Sequence, residues 1–394
     1  MARNLLVAHG GGPTAVINCS LYGVIVEARA SGDVDRILAA RHGIAGVLKG
    51  DVMDLTDEPQ QIVDGLRTTP ASAVGSCRHK VTDEDYDRIF DAFERFDIKY
   101  FLYNGGNDSM DTANKVHQRA CDSSADVRVA GIPKTIDNDL AYTDHCPGFG
   151  SAARYFAGTV RDLGRDIESL PTPVSICEVM GRNAGWLAAA TVAAREDDGD
   201  APHLIYLPET PVVKSDFLSA VDNTLKQWGR CVVAASEGAR DETGNSLSTA
   251  EGGANVDGFG HPLPGGVASV MADWVAQELG VRARYEKPGI PGRASILCRS
   301  ETDVHDAIEV GRAAVRHVTA GESGHMMGIE RVGENPYAMN VVPAPLSKVA
   351  NVERRVPAEF MAGASGMAPA FMDYLRLLLG GPFPQYIRLT GSPA

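Results

Sequence analysis

The chain has 394 residues, of which 44% are hydrophobic and 22% charged, and its formal net charge is −14. This length and apolar content are typical of a globular protein with two or three compact units, and no stretch reaches the roughly 18 apolar residues of a membrane span. Acidic and basic residues are interspersed without a long lysine or arginine run, which argues against a surface for nucleic acid or anionic membranes.

Alternating strand and helix signals run along the chain. Each predicted strand is an apolar run bounded by glycine, and a longer stretch with helical spacing follows it. This alternation is typical of a mainly parallel sheet covered by helices on both faces, so we expect an α/β fold with Rossmann-like, three-layer domains. The predicted strands are Asn4–His9, Tyr100–Tyr103, Val127–Ile132, Val174–Val179, Leu204–Leu207 and Cys231–Ala235.

Further along the chain, Ser248–Gly266 is rich in glycine and is expected to form a long loop. Helices are predicted at about Val267–Leu279 and Val304–Ala320, and the proline-rich tail after them is expected to fold back on the body. In open α/β sheets, ligands bind at the carboxyl ends of the strands, next to helix N-termini. The polar, glycine-rich segments that follow the strands are therefore the candidates for a site.

The first of these segments is GGNDSMDTANKV, Gly105–Val116, which follows a predicted strand and opens a helix. Its two glycines let the backbone approach a phosphate, and the helix N-terminus supplies N–H donors. A helix here would bury Met110, Ala113 and Val116. A generic tight turn is the alternative interpretation.

The second segment is GIPKTIDNDL, Gly131–Leu140, in which Lys134 lies close to Asp137 and Asp139. A carboxylate can take the proton of a substrate hydroxyl, while a lysine neutralises charge on a transferred phosphoryl group. The alternative is a turn of solvated charges. Arg182, at the next strand-to-helix corner, suits a doubly bonded grip on phosphate, although a lone loop arginine is usually a surface charge.

Taken together, these segments resemble the phosphofructokinase family, and the resemblance covers essentially the whole chain. It implies two α/β domains facing each other across a cleft that holds the active site. The donor domain would comprise residues 1–148 with about 292–345, and the acceptor domain residues 149–291 with the tail 346–394. The motifs that carry it, in the family's order, are GGGPTAVIN, GSCRHK, GGNDS, PKTIDND, TDHCPGFGSAARY, EVMGR, DGFGHPLPGG, VANVE and PFPQY.

The donor implied by the resemblance is pyrophosphate. Family members that use ATP carry glycine where this chain has Asp108, and a carboxylate there adds bulk and like charge against a nucleotide. Pyrophosphate members place a lysine at the position of Lys134, on the transferred phosphoryl group. The donor-binding residues carried over are Gly11, Arg78, Asn107, Asp108, Ser109 and Lys134.

The cofactor implied is Mg²⁺, with one departure from the family pattern. The family's first motif aspartate is Asn107 here, which lacks the negative charge. We expect Asn107 to contact the metal weakly, through a bound water. Pyrophosphate itself would supply most of the metal's ligands.

The acceptor implied is the 1-hydroxyl of fructose 6-phosphate, from which Asp137 takes the proton. Lys134, Thr135 and Arg182 complete the catalytic group, because phosphoryl transfer requires mainly alignment and charge neutralisation. The substrate-binding residues carried over are Thr135, Asp137, Asp139, Met180, Gly181, Arg182, Glu237, Arg284 and Arg293.

Three departures concern the phosphate end of the acceptor. Ile290 stands where the family has an aromatic residue or a histidine, and Gly292 stands where it has a glutamine. Pro173 stands where an inter-subunit arginine is expected. Other acceptors therefore stay open: sedoheptulose 7-phosphate, another sugar phosphate, a polyol or a nucleoside. ATP as donor and a non-catalytic sugar-phosphate-binding relative are further alternatives.

A Rossmann dehydrogenase is the rival from another class, but GGGPTAVIN lacks the GxGxxG spacing after the first strand. The seven cysteines are scattered, with no CxxC pair, and we interpret them as reduced thiols of a cytoplasmic protein. Pyrophosphate and a sugar phosphate are the expected partners, without nucleic acid or membrane. A homodimer or homotetramer is expected because the family completes its acceptor site across a subunit interface.

Overall fold

The structure, a computed structural model, describes residues 3–170, 172–248 and 266–389. The DGFGHPLPGG motif and nearly all of the loop predicted at Ser248–Gly266 lie outside the described residues. The strands are β1 (Asn4–His9), β2 (Ile37–Ala40), β3 (Val52–Asp54), β4 (Ile98–Gly105), β5 (Arg128–Pro133), β6 (Val174–Val179), β7 (Leu204–Tyr206), β8 (Cys231–Ser236), β9 (Ala283–Glu286), β10 (His325–Glu334), β11 (Tyr337–Pro345), β12 (Met361–Ala362) and β13 (Gly366–Met367).

Helices cover the sheets and join most of the strands. The α-helices are α1 (Ile17–Ser31), α2 (Ile44–Lys49), α3 (Gln60–Gly65), α4 (Asp83–Arg95), α5 (Asn107–Asp122), α6 (Phe149–Ser169), α7 (Trp186–Ala190), α8 (Lys214–Trp228), α9 (Val267–Leu279), α10 (Pro291–Ala294), α11 (Glu301–Thr319), α12 (Leu346–Val349) and α13 (Pro369–Arg376). Short 3₁₀ helices occupy Leu66–Thr68, Thr191–Ala194 and Ala358–Phe360.

The larger sheet has the strand order β11-β10-β5-β4-β1-β2-β3 among the described residues. Its five central strands run parallel, and the edge strands β3 and β11 are antiparallel to their neighbours. Apolar side chains of α1 and α11 pack on one face, and those of α2, α4, α5 and α12 pack on the other. The central strands are apolar on both faces because both are buried.

The smaller sheet has the order β7-β8-β6-β9, and all of its described pairs are parallel. Helices α8 and α9 cover one face, while α6, α7 and α13 cover the other. Two sheets, each between two helical layers, therefore form the body of the chain, as the strand and helix pattern predicts.

Most predicted elements are present with shifted ends. The strand predicted at Tyr100–Tyr103 is the longer β4, and the helix predicted at about Val304–Ala320 is α11, which begins at Glu301. Ser300 caps that helix by accepting from the Asp303 N–H, so the polar first turn belongs to the helix. The tail does fold back: the Arg154 guanidinium donates to the Leu379 carbonyl at 2.9 Å.

Leu346 and Val349 are fully buried against the larger sheet rather than the smaller one. The first residues of the predicted C-terminal segment therefore pack on the larger sheet. Among the described residues, no helix combines the length and the apolar character that would let it cross a membrane.

Candidate active site

A glycine loop follows β1 and brings backbone close to charged side chains. Gly11 has a φ of +78°, a left-handed conformation that favours glycine, and its N–H donates to the Cys77 carbonyl at 2.9 Å. A Cβ on Gly12 would lie 2.9 Å from Nη1 of Arg293. The loop thus leaves room for cations directly beside its backbone.

Helix α5 begins where β4 ends, as the sequence predicts. Gly106 is its N-cap residue, and Asn107 and Asp108 form its first turn. A Cβ on Gly105 would meet Ser109 Oγ at 2.1 Å, so the glycine is needed for the turn to pack against the buried Ser109. Asp108 is exposed and lines the cleft, and its role in excluding a nucleotide stays a prediction.

Lys134 lies at the end of β5 and is only 3% exposed. Its ammonium donates to the Gly12 carbonyl at 2.7 Å, and Gly11 packs beside the same nitrogen. Burial lowers the pKa of Lys134 to about 8, although Asp137 and Asp139 oppose the shift. The lysine is therefore a cation near neutral pH, fixed next to the glycine loop.

Asp137 and Asp139 follow on the same turn, and both side chains are largely buried. Burial raises the pKa of Asp137 to about 7, and the negative charges of Asp139 and Glu237 add to the shift. The Asp137 N–H donates to Thr135 Oγ1 at 3.1 Å, which fixes the turn. A carboxylate with a pKa near neutrality is suited to accept a proton in a transfer reaction.

Asn107 and Asp139 are joined by a hydrogen bond of 3.2 Å from Asn107 Nδ2 to Asp139 Oδ2. The Oδ1 atoms of both residues are buried and lack a hydrogen-bond partner in the structure. Oxygen is the ligand that Mg²⁺ prefers, so these two atoms fit a magnesium ion or its bound waters. Among the described residues, no group of three or more His, Cys, Asp or Glu side chains could hold a metal alone. A substrate would have to supply further oxygen ligands.

The acceptor side is built by the ends of β6 and β8. Gly181 has a φ of +134°, and its N–H donates to Glu237 Oε1 at 3.3 Å. A Cβ on Gly238 would lie 1.8 Å from the Arg182 carbonyl oxygen, so the two loops touch backbone to backbone. Burial raises the pKa of Glu237. Met180, Arg182 and Glu237 therefore face the donor loops.

The two sides enclose a cleft with a volume of about 340 Å³. It opens into a cavity of about 800 Å³ between residues 71–78 and residues 287–293. Of the predicted residues, the cleft brings together Gly11, Arg78, Asn107, Asp108, Ser109, Lys134, Thr135, Asp137, Asp139, Met180, Arg182, Glu237 and Arg293.

Arg284 lies apart from this group. It is on the edge strand β9, and its guanidinium donates to Asp166 of α6 at 2.6 Å. Pro173 precedes β6, where its carbonyl accepts from the Cys231 N–H at 2.7 Å. Within one chain, therefore, Arg293 and not Arg284 approaches the cleft, and the substrate-binding role carried over to Arg284 stays a prediction.

Gly292 has a packing reason, since a Cβ there would lie 2.8 Å from the rings of Tyr155 and Phe156. Ile290 is 69% exposed at the mouth of the larger cavity. A further lining residue, Glu353, was given no role from the sequence. A bridge between Leu140 and Glu353 brings it in from the C-terminal region, which no spacing within one motif could reveal.

The chemistry of the cleft follows from its charges. Lys134, Arg78, Arg182 and Arg293 line the same cleft as Asp137, and the charges of Lys134 and Arg182 act on its carboxyl. Cations on several sides of one carboxylate can bind a polyanion and hold a hydroxyl near a base. The arrangement suits transfer of a phosphoryl group to an alcohol.

Comparisons with known proteins agree with this geometry. Residues 4–286 match the family model described as Phosphofructokinase. A relative from Xanthomonas campestris named pyrophosphate–fructose 6-phosphate 1-phosphotransferase is 43% identical, over 99% of this chain and 94% of the relative. A sulfofructose kinase from Alkalicoccus urumqiensis is 30% identical over 89% of both. The crystal structure of a pyrophosphate-dependent phosphofructokinase from Nitrosospira multiformis has a TM-score of 0.89 at 38% identity, covering 98% of this chain and 94% of that one. The predicted fold is thus confirmed, and the chain belongs to the phosphofructokinase family.

Proposed function

We propose that the protein transfers a phosphoryl group reversibly from pyrophosphate to the 1-hydroxyl of fructose 6-phosphate, with Mg²⁺. The observation that carries this proposal is the donor pocket itself. Asp108 projects from the first turn of α5 into the cleft, while the buried Lys134 lies against the glycine loop. This leaves a short, cationic pocket with a carboxylate at its outer wall, which suits two phosphates better than a nucleotide. Relatives that carry this activity in their names support the proposal.

In this mechanism Asp137 accepts the proton of the 1-hydroxyl while the hydroxyl oxygen forms a bond to the terminal phosphorus. The bond from that phosphorus to the bridging oxygen breaks, and phosphate leaves with the electron pair. Lys134 and Arg182 neutralise the oxygens of the moving group, and Arg78 holds donor and acceptor together. Magnesium, held near Asn107 and Asp139, would neutralise further charge on pyrophosphate.

A comparison of donors tests the proposal. Purified protein is assayed with fructose 6-phosphate and either magnesium pyrophosphate or magnesium ATP, with phosphate release or product formation as the readout. We expect turnover with pyrophosphate and little or none with ATP. Robust turnover with ATP alone would overturn the choice of donor, and no turnover on any acceptor with either donor would support a non-catalytic sugar-phosphate-binding protein.

The same chemistry on another acceptor is the second candidate. Arg284 pairs with Asp166, and the larger cavity is lined by small residues of segment 71–77 and by the exposed Ile290, with Arg78, Lys287 and Arg293 as cations. One relative is named sulfofructose kinase, so its name gives a different acceptor from the fructose 6-phosphate in the names of the other relatives. A panel of ketose phosphates, a ketose sulfonate, polyols and nucleosides, each assayed with pyrophosphate, would rank the acceptors by kcat/KM. A preference of tenfold or more for another acceptor would replace fructose 6-phosphate in the proposal.

A homodimer or homotetramer in the cytoplasm completes the proposal. Arg284 lies on an edge strand with a partly exposed side chain, where a neighbouring subunit could use it. All seven cysteines are free thiols, in keeping with a reducing compartment. Light scattering during size-exclusion chromatography would measure the assembly, and a monomer that is fully active would exclude a shared acceptor site.

A further inference from the structure

His9 is the last residue of β1 and is fully buried, although no step of the proposed reaction uses it. Burial, together with the charge of the nearby Lys134, lowers the pKa of His9 to about 3. The imidazole is therefore neutral at working pH, so one ring nitrogen carries a proton and the other is a bare acceptor.

The surrounding hydrogen bonds determine which nitrogen is the acceptor. His9 Nδ1 lies 2.8 Å from Ser72 Oγ, and that hydroxyl donates its own proton to the Gly75 carbonyl, also at 2.8 Å. Ser72 can therefore only accept from the ring, which places the proton of His9 on Nδ1. His9 Nε2 is left as an acceptor, and it has no hydrogen-bond partner in the structure.

Asn104 occupies the matching position on the neighbouring strand. β1 and β4 are parallel, and His9 pairs with Asn104 in their register, so both side chains project from the same face of the sheet. Asn104 is also fully buried, and both polar atoms of its amide lack a partner. Buried polar groups in native proteins nearly always have a partner, so two adjacent side chains in this state require an explanation.

Lys134 supplies the missing donor. An ammonium group has three N–H donors, and the Gly12 carbonyl accepts one of them at 2.7 Å. Its charge acts on His9, and β5 lies beside β4 with Ile132 in register with Asn104. The buried lysine thus lies near two buried acceptors, and among the described residues its ammonium makes a direct hydrogen bond to neither of them.

We propose that His9 and Asn104 are positioning residues for Lys134, acting through one buried water molecule. The water accepts an N–H of the Lys134 ammonium and donates its two protons to His9 Nε2 and Asn104 Oδ1. The water then gives a partner to His9 Nε2, to Asn104 Oδ1 and to one N–H of Lys134, and three hydrogen bonds are the usual number for a buried water. Through Nδ1, the same imidazole reaches Ser72, so the network ties the donor lysine to a wall of the larger cavity.

The network should keep Lys134 charged. Hydrogen bonds to a charged form favour that form, so losing them lowers the pKa of the lysine. The other charged groups that act on Lys134 are Asp137, Asp139, Arg293 and Arg78, and all four stay in place when His9 or Asn104 is changed. A change in the pKa of Lys134 in those variants therefore measures the effect of the hydrogen-bond network.

Competitive labelling with acetic anhydride measures the effect without turnover. The acetylated fraction of Lys134, determined by peptide mass spectrometry across pH, gives the midpoint of its titration. We expect His9→Asn, which keeps a donor for Ser72 but not the acceptor, to lower that midpoint by about one pH unit. His9→Gln, whose amide oxygen can replace Nε2, should retain it. An unchanged midpoint in His9→Asn would overturn the proposal.

Asn104→Leu gives a second, independent variant. If Asn104 had only a structural role, replacing an unpartnered amide with an apolar side chain would leave the lysine unaffected. The proposal requires the Lys134 midpoint to fall, as in His9→Asn. His203→Gln is the matched control, because His203 is a largely buried, neutral histidine with an unpartnered Nε2 beside the smaller sheet. It should leave the midpoint in place even if it lowers the melting temperature.

Kinetics connect the network to the reaction. The role assigned to Lys134 in catalysis rests on the proposed function, and kcat with pyrophosphate should fall about fivefold at pH 8 in His9→Asn and recover in His9→Gln. If the Lys134 midpoint falls in His9→Asn but the wild-type protein does not turn over pyrophosphate, the network is supported and the proposed function is rejected. Normal pyrophosphate turnover with no labelling shift would reject the network alone.

Discussion

The amide of Asn107 donates to Asp139 Oδ2 across 3.2 Å and leaves the Oδ1 atoms of both side chains buried without partners. The hydrogen bond uses one oxygen of the carboxylate and leaves the other without a protein partner. In the proposed function, the Asn107 amide would supply an oxygen ligand to magnesium in place of the aspartate that the family carries. It would do so without adding a second negative charge beside Asp139.

Asn107→Leu should weaken the affinity of the site for magnesium. The variant removes one oxygen ligand and the hydrogen bond that orients Asp139, so the Mg²⁺ concentration for half-maximal activity should rise about tenfold. A magnesium titration at fixed pyrophosphate measures it. Asn4→Leu is the control, since Asn4 also has a buried, unpartnered Oδ1. Asn4 is the first residue of β1 and so lies at the end of the strand away from the cleft. Equal magnesium curves for wild type and Asn107→Leu would remove Asn107 from the metal site.

The pH profile of kcat/KM should be bell-shaped, with its maximum between about pH 7 and 8. Asp137 must be ionised to accept a proton, and burial raises its pKa to about 7, so activity falls as pH drops below that value. Lys134 must be protonated, and burial lowers its pKa to about 8, so activity also falls above that value.

Asp137→Asn identifies the acidic limb of that profile. The amide cannot take the proton, so kcat should fall by at least about a thousandfold, and the residual rate should lose its dependence on a group with a pKa near 7. Thr135→Val is a useful companion, because it weakens the turn but leaves the carboxylate. An acidic limb that persists unchanged in Asp137→Asn would assign the base to another residue.

Sequence patterns predict the local parts of this site well because the conformation of a single turn depends mainly on the residues within it. Glycine before a helix start, and the burial of Met110, Ala113 and Val116 at helical spacing, predict α5 and its phosphate-facing end, and the structure has all three fully buried. Parallel strand order then brings the strand ends together at one edge.

Residues that meet only through tertiary contacts could not be predicted in this way. Glu353 enters the cleft because the segment after α12 pairs with Leu140, more than 200 residues earlier in the chain. His9 gave no signal, since its importance depends on the tautomer that Ser72 imposes. Arg284 was placed by its order along the chain, and order alone does not determine that its guanidinium turns to Asp166.

A buried cation should stabilise the region behind the catalytic turn. His145 Nδ1 lies 2.7 Å from Asp144 and Nε2 lies 2.8 Å from the fully buried Asp306. Burial opposes charge on the ring, but the hydrogen bonds to both carboxylates outweigh it and raise the pKa of His145. His145→Leu removes the ring that pairs with Asp306, which keeps hydrogen bonds with Tyr337 and His305. The change should lower the free energy of unfolding by about 1–3 kcal/mol.

Urea unfolding at several pH values measures that loss and its sign. Because the folded pKa is raised, the contribution of His145 is complete below its ordinary value of 6.5 and is lost as pH rises through the folded value. The difference between wild type and His145→Leu should therefore shrink in alkaline buffer. The double variant His145→Leu with Asp306→Leu should lose less than the single one, since no buried carboxylate is left without the His145 ring. Equal losses at all pH values would show that the ring is neutral in the folded protein.

Asp108 should determine the choice of donor, and two substitutions separate its charge from its bulk. Asp108→Asn keeps the size and removes the charge, whereas Asp108→Gly removes both at a cost to α5 of about 1 kcal/mol. If bulk excludes the nucleotide, only the glycine variant gains turnover with ATP. If charge excludes it, both variants gain turnover. Asp111→Asn, one turn further along α5 and paired with Lys115, is the control that should leave donor preference unchanged. Rates with ATP that stay at the wild-type level in both Asp108 variants, in protein that still turns over pyrophosphate, would show that another part of the cleft excludes the nucleotide.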